Sequence, residues 1–558
     1  MAMVTATGLA MGSRPARPPN PTCRCLLHHE NHREGTLMKR THPRALAMPK
    51  CSATMLGCVA LLGMLAGESF AQAAGDAEPS GTTRPTTWIE PSVSVGATLS
   101  SNGNASSANS RSELALDVSP ALKVVMNTPR VKGFVDYSLS ATYYLQGNSR
   151  NRIGNRLNAD GTVDVWDGKA FVDVSGSISD EAISAFGPQT LTGLSDTNRS
   201  ETSVYRISPH IGGTIAGVMD YQLRYALQTV NTSTSLRSDS TSQVLSMRLG
   251  SRPVGQFLGW SVDAMSQVND YSIGRDTQSD IARANLFILA SPQLTFSLTA
   301  GVERNDIITL QPASYNITGA GMEWRPSLQT SVSVAVENRY FGTGYNVALE
   351  HRTGRTVWRY VASRSASDSP TQSGAFSRGT IYDLLDALLE PLQPDPVRRA
   401  QLVQLELLRL GLPADTPVLQ DFLRSSASLN QTQQLSVALS GIRSVVTFTL
   451  TRSTSSRLDS FFTGGDDFDI NDDIAQQSWG VNYAHRITPL TSFNAAFLNQ
   501  KSTGNSGASG RRQTVSAGLS TRLAPRTNGI VQVQYGRFNN SGGPYTDAAI
   551  SARINHRF

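Results

Sequence analysis

The chain ends in SARINHRF, residues 551–558, and this stretch decides the fold. Ala552 and Ile554 alternate with polar neighbours such as Arg553, which is the period of a β-strand with one apolar and one polar face. Chain ends are usually frayed and polar, so a strand that runs to Phe558 is expected to be paired in a sheet. The rest of the sequence has to indicate which surroundings the apolar face meets.

The first 73 residues have the features of an export signal. Residues 38–73 contain a basic segment, an apolar core from Met55 to Ala66, and the small-residue cleavage site Ala71-Gln72-Ala73. This pattern predicts a signal peptide whose apolar core is too short for a membrane-spanning helix. Residues 1–37 are expected to be a spurious extension upstream of the true start. A lipoprotein signal at Met55-Leu56-Gly57-Cys58 is an alternative, although it would cut the apolar core in half.

Charge and cysteine content set limits on the function. Residues 1–73 carry eight of the 49 basic and three of the 43 acidic side chains, which leaves a net charge of about +1 on the remainder. A nucleic-acid partner therefore has no electrostatic support. All four cysteines lie in the first 58 residues, so we expect an exported chain without disulfides. No apolar run beyond the leader approaches the ~18 residues of a transmembrane helix.

From residue 88 to residue 558 the sequence repeats strands, turns and polar loops. In residues 221–228 apolar side chains alternate with Gln and Arg, and in residues 515–523 they alternate with Ser, Gly and Arg. Alternation over strands of about ten residues is typical of a transmembrane β-barrel. Such a sheet has to close, because lipid offers no partner to backbone amides. A soluble β-sandwich or β-helix is the alternative, but it usually needs more than this 39% hydrophobic content.

The connections alternate between short turns and long polar loops, as in outer-membrane barrels. A tight hairpin turn at Asp167-Gly168 restores this alternation within residues 146–180. The prediction is an all-β, transmembrane antiparallel β-barrel over residues 88–558, with roughly 22 strands in a range of about 20 to 24, after a short periplasmic segment, 74–87. Predicted short turns are 253–255, 291–293, 325–327, 488–489 and 524–526, and predicted long outer loops are 100–110, 180–199, 231–240, 269–278, 304–313, 365–428, 455–473, 501–510 and 539–545.

One outer loop, residues 365–428, has helical rather than strand spacing. Residues 380–389 form one predicted helix. A second begins at the capping residue Asp395 and ends at Gly411. This helical insertion is expected to cap the mouth, fold into the lumen or dock a partner, or simply to rest on the rim as a helical hairpin. In a wide barrel it is the expected gate, since only residues 74–87 precede the first strand.

Residues 464–473 resemble the start of a calcium-binding loop. The glycine that such a loop needs for its sharp turn is replaced by Asp472, and the final glutamate by Ser478. A solvated acidic loop is therefore the simpler interpretation. Weak bridging to lipopolysaccharide through a divalent cation is intermediate between that loop and a specific calcium site. Residues 540–544 resemble a serine-protease nucleophile segment without a matching His or Asp. We therefore predict no catalytic residue and no cofactor. The weak calcium candidates are Asp467, Asp469, Asn471 and Asp473.

The polar face of the predicted strands carries arginines and glutamates that are candidates for a lumen lining. One interpretation is that these charges pair across strands and brace the wall. The other, compatible with the first, is that an arginine-biased, hydroxyl-rich lumen suits an anionic or neutral polysaccharide that slides on many weak contacts. The candidates are Arg206, Arg224, Arg248, Arg339, Arg443, Arg486, Arg522, Glu303, Glu323 and Glu337.

The last strand is also expected to carry the signal that the barrel-assembly machinery reads. Phe558 and Ile554 are its predicted residues, and His556 stands where an aromatic side chain such as Tyr is common.

Four stretches carry a resemblance to a known family: residues 88–96 (WIEPSVSVG), 157–162 (LNADGT), 183–189 (ISAFGPQ) and the helical segment 395–413. They resemble the PEP-CTERM system-associated outer-membrane proteins, which are encoded beside exopolysaccharide genes in Gram-negative bacteria. The resemblance covers most of residues 85–558. It implies a role near exopolysaccharide production or export, or in the surface display of sorted proteins, and it brings no catalytic residues.

The sequence therefore predicts an integral outer-membrane barrel of a Gram-negative bacterium, acting as a conduit or surface partner for exopolysaccharide and its export proteins. Outer-membrane lipid and lipopolysaccharide are its expected surroundings. A closed scaffolding barrel and an outer-membrane enzyme are the rival classes. The first predicts tightly paired lumen charges, and the second predicts one indispensable Ser or His.

Overall fold

The computed structural model describes residues 87–145, 151–195, 197–234, 237–251, 257–367, 403, 422–424, 427–459, 461 and 466–558. These residues form 22 antiparallel strands, each paired with its neighbours in sequence, and β1 pairs with β22 so that the sheet closes. The predictions of an all-β closed barrel and of roughly 22 strands are confirmed. The predicted extension 1–37, the signal peptide 38–73 and the segment 74–86 lie outside the described residues.

The strands are β1 Thr87–Ser100, β2 Glu113–Asn127, β3 Val131–Tyr144, β4 Arg152–Trp166, β5 Ala170–Ala182, β6 Arg199–Ile215, β7 Met219–Thr232, β8 Ser240–Ser251, β9 Leu258–Tyr271, β10 Thr277–Ser291, β11 Leu294–Asn305, β12 Ala313–Ser327, β13 Thr330–Arg339, β14 Gly342–Arg352, β15 Thr356–Ser367, β16 Ser428–Ser440, β17 Ser444–Arg457, β18 Asp473–Arg486, β19 Thr491–Gly504, β20 Ser509–Ala524, β21 Thr527–Asn540 and β22 Gly543–Arg557. A 3₁₀ turn, Asp467–Asp469, lies between β17 and β18.

The hairpin predicted at Asp167-Gly168 is confirmed. Asp167 has a φ of 38° and Gly168 a φ of 76°, and two positive φ values are what the tight, twist-matched hairpin turn requires. A second turn of this kind, at Ala216-Gly217 with φ values of 52° and 69°, was not predicted. The start of β1 at Thr87 also puts the first strand within one residue of the prediction.

Some predicted connections are wrong in position or length. β12 continues through Pro326 to Ser327 with a register shift after Trp324, so the turn lies at residues 328–329 instead of 325–327. The loops predicted at 501–510 and 539–545 shrink to residues 505–508 and 541–542. The strands are 10 to 17 residues long, whereas about 9–11 residues cross a membrane. Many strands therefore extend beyond the bilayer.

Most of the predicted helical insertion, 365–428, lies outside the described residues. Its first three residues continue β15, and residue 428 begins β16. Within the described part of the chain, the 3₁₀ turn is the only helical element longer than one residue. No helix in that part is long and apolar enough to span a membrane.

The two faces of the sheet differ as the alternation predicts. Val95 pairs with Ile554 and Leu99 with Ile550 on one face, and these four apolar side chains are 45–53% exposed. Water does not favour a continuous exposed apolar belt on a folded protein, whereas lipid does. The apolar face is therefore the lipid-facing surface.

The polar face lines the interior. Gln500 of β19 and Arg512 of β20 lie on this face, and they line a small cavity together with Gly187 and Gln189 from the connection after β5. A segment that leaves β5 reaches the wall of β19 and β20 across the barrel opening. The polar side chains that it meets there must point inward.

Candidate functional site: the lumen wall and the loop cap

Nine of the ten candidate lumen residues lie in strands, on the polar interior face. The exception is Arg443, which the prediction placed on this face but which lies in the turn 441–443 between β16 and β17. Arg486 and Arg522 lie at the short-turn ends of β18 and β20, away from the deeper wall. Both side chains therefore lie at the periplasmic rim of the barrel.

Five of the candidates take part in four ion pairs between different strands. Arg224 Nη1 lies 2.6 Å from Asp173, Arg248 Nε 2.7 Å from Asp263, and the Glu337 carboxylate 3.1 Å from Arg283. The fourth pair is the most buried: the Glu303 side chain is fully buried, and it receives Arg339 Nη2 at 2.5 Å and the Tyr340 amide at 2.7 Å. These pairs link strands that lie one to three places apart in the sheet, and so brace the wall.

Two other candidates are less constrained. Glu323 lies 3.9 Å from Arg325 near the short-turn end, and both side chains are largely exposed. Arg206 is exposed on the interior face, and the described residues give it no ion pair. Its guanidinium is therefore available to a solute in the lumen.

A groove of about 440 Å³ opens on the interior face between β7 and β13. Asp263 accepts hydrogen bonds from Arg248 and, at 2.9 Å, from Asn285 Nδ2, while Thr299 donates to Asn285 Oδ1 at 2.7 Å. The polar groups are therefore held in fixed positions around apolar surface from Met265 and Ile281. The groove residues on the interior face are Gln222, Ser246, Arg248, Asp263, Met265, Ile281, Arg283, Asn285 and Glu337.

The opposite part of the wall is covered. Thr447, Thr449, Thr451 and Ser453 alternate along the interior face of β17, and each is at most 4% exposed. A polar interior wall in contact with open water would be exposed, so this part of the wall is shielded from water. Val403, a described residue of the connection between β15 and β16, is also fully buried.

Outer loops meet across the mouth and form what we call the loop cap, residues 183–195, 237–239, 422–424 and 466–472. The Leu423 amide donates to the Ala182 carbonyl at 2.9 Å. β5, which ends at Ala182, and β16, which begins at Ser428, stand opposite each other with ten strands between them either way. Phe422 and Ser428 are six positions apart in the chain, so the distance between them is at most ~22 Å. The outer ends of two opposite strands are therefore drawn together.

A small apolar cluster forms the centre of the cap. Phe186, Phe422 and Phe468 come from three different connections, and their side chains are 1–6% exposed. The rings of Phe422 and Phe468 lie 6.3 Å apart. Burial of apolar surface stabilises such a cluster by about 25 cal/mol per Å², so these rings hold the cap together.

Buried charges surround the cluster. Arg237 is 5% exposed and donates to the Ile183 carbonyl at 2.5 Å. Burial lowers the pKa of Arg237, and the nearby Asp466, Asp467 and Asp469 oppose that shift.

Asp467 accepts the Ala185 amide at 2.7 Å. Burial raises the pKa of Asp467, although hydrogen bonds from Ser184 and Ala185 and the charge of Arg237 act in the other direction. The surroundings in the cap thus disfavour the charged form of the Asp467 carboxyl group.

The cap also reaches the last two strands. Tyr545 Oη accepts from the Gln189 amide at 2.8 Å and donates to the Gln189 carbonyl at 2.5 Å. On the other side Arg275 lies 3.6 Å from Asp459 and 3.7 Å from Asp306. Sequence reasoning missed these residues, because no periodicity connects loops so far apart in the chain. The stretch 183–189 was noted only for its family resemblance.

The calcium candidates have structural partners instead. Asp467 holds Ala185, and Asn471 Oδ1 accepts from the Ser506 amide and hydroxyl. Asp469 closes the 3₁₀ turn through its amide, which donates to Asp466, and Asp473 begins β18. Among the described residues, no three acidic, His or Cys side chains come together in a way that could hold a metal ion.

Three histidines hydrogen-bond to hydroxyls directly across a strand pair at the short-turn end. Ser444 Oγ lies 2.8 Å from His485 Nδ1, which would suit a nucleophile and base. Two more pairs have the same geometry, Thr330–His351 at 2.8 Å and Thr527–His556 at 2.9 Å. Repetition of one cross-strand pair around the rim indicates bracing rather than catalysis.

These features define a closed 22-strand outer-membrane β-barrel with a polar interior and a loop cap over one mouth. The fold is similar to that of the siderophore receptor PirA from Pseudomonas aeruginosa, with 10% identity and a TM-score of 0.42 over 86% of this chain and 82% of that one. It is also similar to the FrpB iron transporter from Neisseria meningitidis, F5-1 variant, with 9% identity and a TM-score of 0.46 over 84% and 82%. No family model and no curated protein matches the chain.

Proposed function

We propose that this protein is a gated outer-membrane conduit for an anionic or neutral polysaccharide, and that it serves an exopolysaccharide production or export system. The observation that carries the proposal is the interior groove between β7 and β13. Its fixed amide, guanidinium and carboxylate groups surround the apolar side chains of Met265 and Ile281. Sugar rings present hydroxyls at their edges and C–H groups on their faces, so this surface complements them.

The resemblance of residues 88–96, 157–162 and 183–189 to the PEP-CTERM system-associated outer-membrane proteins supports the same solute class. A polysaccharide that moves through a pore needs contacts that are numerous and individually weak. Ion pairs such as Arg248–Asp263 leave little net charge to trap a passing chain, while exposed Arg206 adds a modest attraction for anionic sugars. Exopolysaccharide export proteins are the proposed partners.

The loop cap is the proposed gate. Its contacts are loop hydrogen bonds, one small apolar cluster and the buried charged groups around Asp467. Contacts of this kind open at lower cost than the continuous strand ladders of the wall. The cap therefore separates from the barrel without disturbing the sheet.

Single-channel recording in planar bilayers tests both parts of the proposal. The full-length barrel is compared with an Arg237→Gln/Phe422→Ala variant that weakens the cap, and with Arg355→Gln in an exposed short turn as a control. We expect larger or more frequent conductance steps only in the cap variant. We expect added polysaccharide to block the open state, and Arg283→Gln to weaken the block about tenfold, the equivalent of one lost charged contact of about 1.4 kcal/mol.

A scaffolding barrel is the second candidate, and the cross-mouth contacts of the cap favour it specifically. It predicts no conductance in either the native protein or the cap variant, with both shown to be folded. That result would contradict the conduit proposal. Conductance that polysaccharide does not block would instead contradict the proposed solute.

A further inference from the structure

Four basic side chains form a row on the outward face of the barrel near its loop end. They are Arg452 of β17, Lys501 of β19, Arg511 of β20 and Arg537 of β21, and we call them the basic row. The strand register makes the row continuous: Arg452 is opposite Gln477, Gln477 opposite Lys501, and Lys501 opposite Arg511, while Arg537 is opposite Gln513. All four side chains are exposed.

The basic row lies directly beyond the lipid-facing belt. On the same face, Leu450 lies two residues before Arg452 and Tyr535 two residues before Arg537, and these side chains are 44% and 47% exposed. Trp479, which is 40% exposed, lies two residues after Gln477, the cross-strand neighbour of both Arg452 and Lys501. Aromatic side chains mark the level where the hydrocarbon ends and the headgroups begin. The basic row is therefore at the headgroup level of the outer leaflet.

The charges of the row are uncompensated. Within the described chain none of the four has an ion pair, whereas at the outer ends of β4–β6 Arg152 and Arg199 share Asp180 at 2.8 and 2.9 Å. Lys501 and Arg511 are also direct cross-strand partners. Like charges in that position destabilise a sheet, so an anion from outside the chain would relieve a repulsion built into the wall.

We infer that the basic row binds the phosphate groups of lipopolysaccharide in the outer leaflet. Guanidinium groups bind phosphate through paired hydrogen bonds, and lysine binds it as a point charge. The amides of Gln477, Gln513 and Asn539 lie between the charges on the same surface and suit the hydroxyls of a phosphorylated sugar. Phosphate and sugar together identify a phosphorylated glycolipid headgroup rather than a simple phospholipid.

The test uses the full-length barrel, delipidated in detergent, and titrates purified lipopolysaccharide with native mass spectrometry as the readout. The variant is Lys501→Gln/Arg511→Gln. A matched control, Arg355→Gln/Arg526→Gln, removes two exposed charges from turns at the other end of the barrel. We expect the row variant to bind at least tenfold more weakly and the control to bind like the native protein. Dephosphorylated lipopolysaccharide should bind all three proteins equally weakly.

Thermal unfolding gives a second readout, which is first measured without lipid and then with lipopolysaccharide. Without lipid, the row variant should unfold at a higher temperature than the native protein, because the Lys501–Arg511 repulsion is gone. Lipopolysaccharide should then stabilise the native protein more than the variant. Equal binding by the native protein and the row variant would overturn the inference, as would equally tight binding of phosphatidylglycerol, which carries a phosphate without the sugar.

Discussion

Asp467 and Arg237 place charged groups where the loop cap excludes water. Burial raises the pKa of Asp467 in the closed cap, so the closed state holds a proton more tightly than an opened, solvated state does. The stabilisation from protonation is therefore complete below the ordinary pKa near 3.8 and is lost as the pH rises through the raised pKa. We expect the cap to be more firmly closed at acidic pH than at neutral pH.

Hydrogen–deuterium exchange of residues 183–186, corrected for the intrinsic rate at each pH, measures this effect. Protection should be greater at pH 4 than at pH 7. In Asp467→Asn the difference should disappear, because the amide oxygen still accepts from Ala185 but does not titrate. Arg237 and Asp466 also act on this carboxyl group, and Asp469 acts on Arg237, so an Asp469→Asn variant is the control and should keep the pH dependence. Protection that rises with pH would contradict the argument.

At the scale of the element, the hairpin between β4 and β5 depends on backbone conformation alone. Gly168 has a φ of 76°, and a Cβ added there would meet no atom within 4 Å. A side chain is therefore unfavourable only because L-residues avoid this region of φ, at a cost of about 1–2 kcal/mol. We expect Gly168→Val to lower the free energy of unfolding by about that amount in urea titrations of the folded barrel in detergent.

Gly354 provides the matched comparison. It lies in the short turn between β14 and β15, also has open space around a built Cβ, and is without a positive φ. Gly354→Val should change the free energy of unfolding by less than about 0.5 kcal/mol. A similar loss in both variants would indicate that bulk at this end of the barrel, rather than the sign of φ, decides the outcome.

The strands and several turns follow from local rules, so the sequence predicted them. Alternation marks every strand because one face meets lipid and the other does not, and Asp167-Gly168 has the residue types of its turn. The turn at 325–327 was misplaced because Pro326 can end a strand next to a register irregularity as well as form a turn. The loops at 501–510 and 539–545 were too long because polar strands that extend past the membrane resemble loops in composition.

The loop cap was beyond sequence reasoning for a different reason. Ala185 meets Asp467 across 282 positions, and Gln189 meets Tyr545 across 356. Irregular loops have no period from which such contacts follow. The alternation of residues was enough to place the lumen candidates on one face of the sheet. Their ion-pair partners depend on the register between strands, which cannot be read from the sequence. Arg443 was assigned to a strand face, but β17 begins only at Ser444, so Arg443 is the last residue of the turn.

At the scale of the whole molecule, the barrel closes where β1 meets β22. Nine residue pairs form this seam, from Ser92↔Arg557 to Ser100↔Ala549. Phe558 follows the seam, and its amide donates to the Pro91 carbonyl at 3.0 Å. Its side chain is 62% exposed, and its ring contacts His556 with the centroids 4.9 Å apart. The Phe558 ring therefore contributes little to the stability of the closed barrel.

If Phe558 is the residue that the assembly machinery reads, assembly and stability should separate in a Phe558→Ala variant. The amount of folded barrel in outer-membrane fractions should fall several-fold, while the free energy of unfolding of the refolded protein in urea changes by less than about 1 kcal/mol. Phe461→Ala is the control, because Phe461 is a similarly exposed loop residue at 52%, and it should assemble normally. A Phe558→Ala barrel that assembles like the native protein would place the signal elsewhere on β22, with Ile554 as the next residue to test. A large loss of stability would instead mean that the Phe558 ring helps to hold the seam itself.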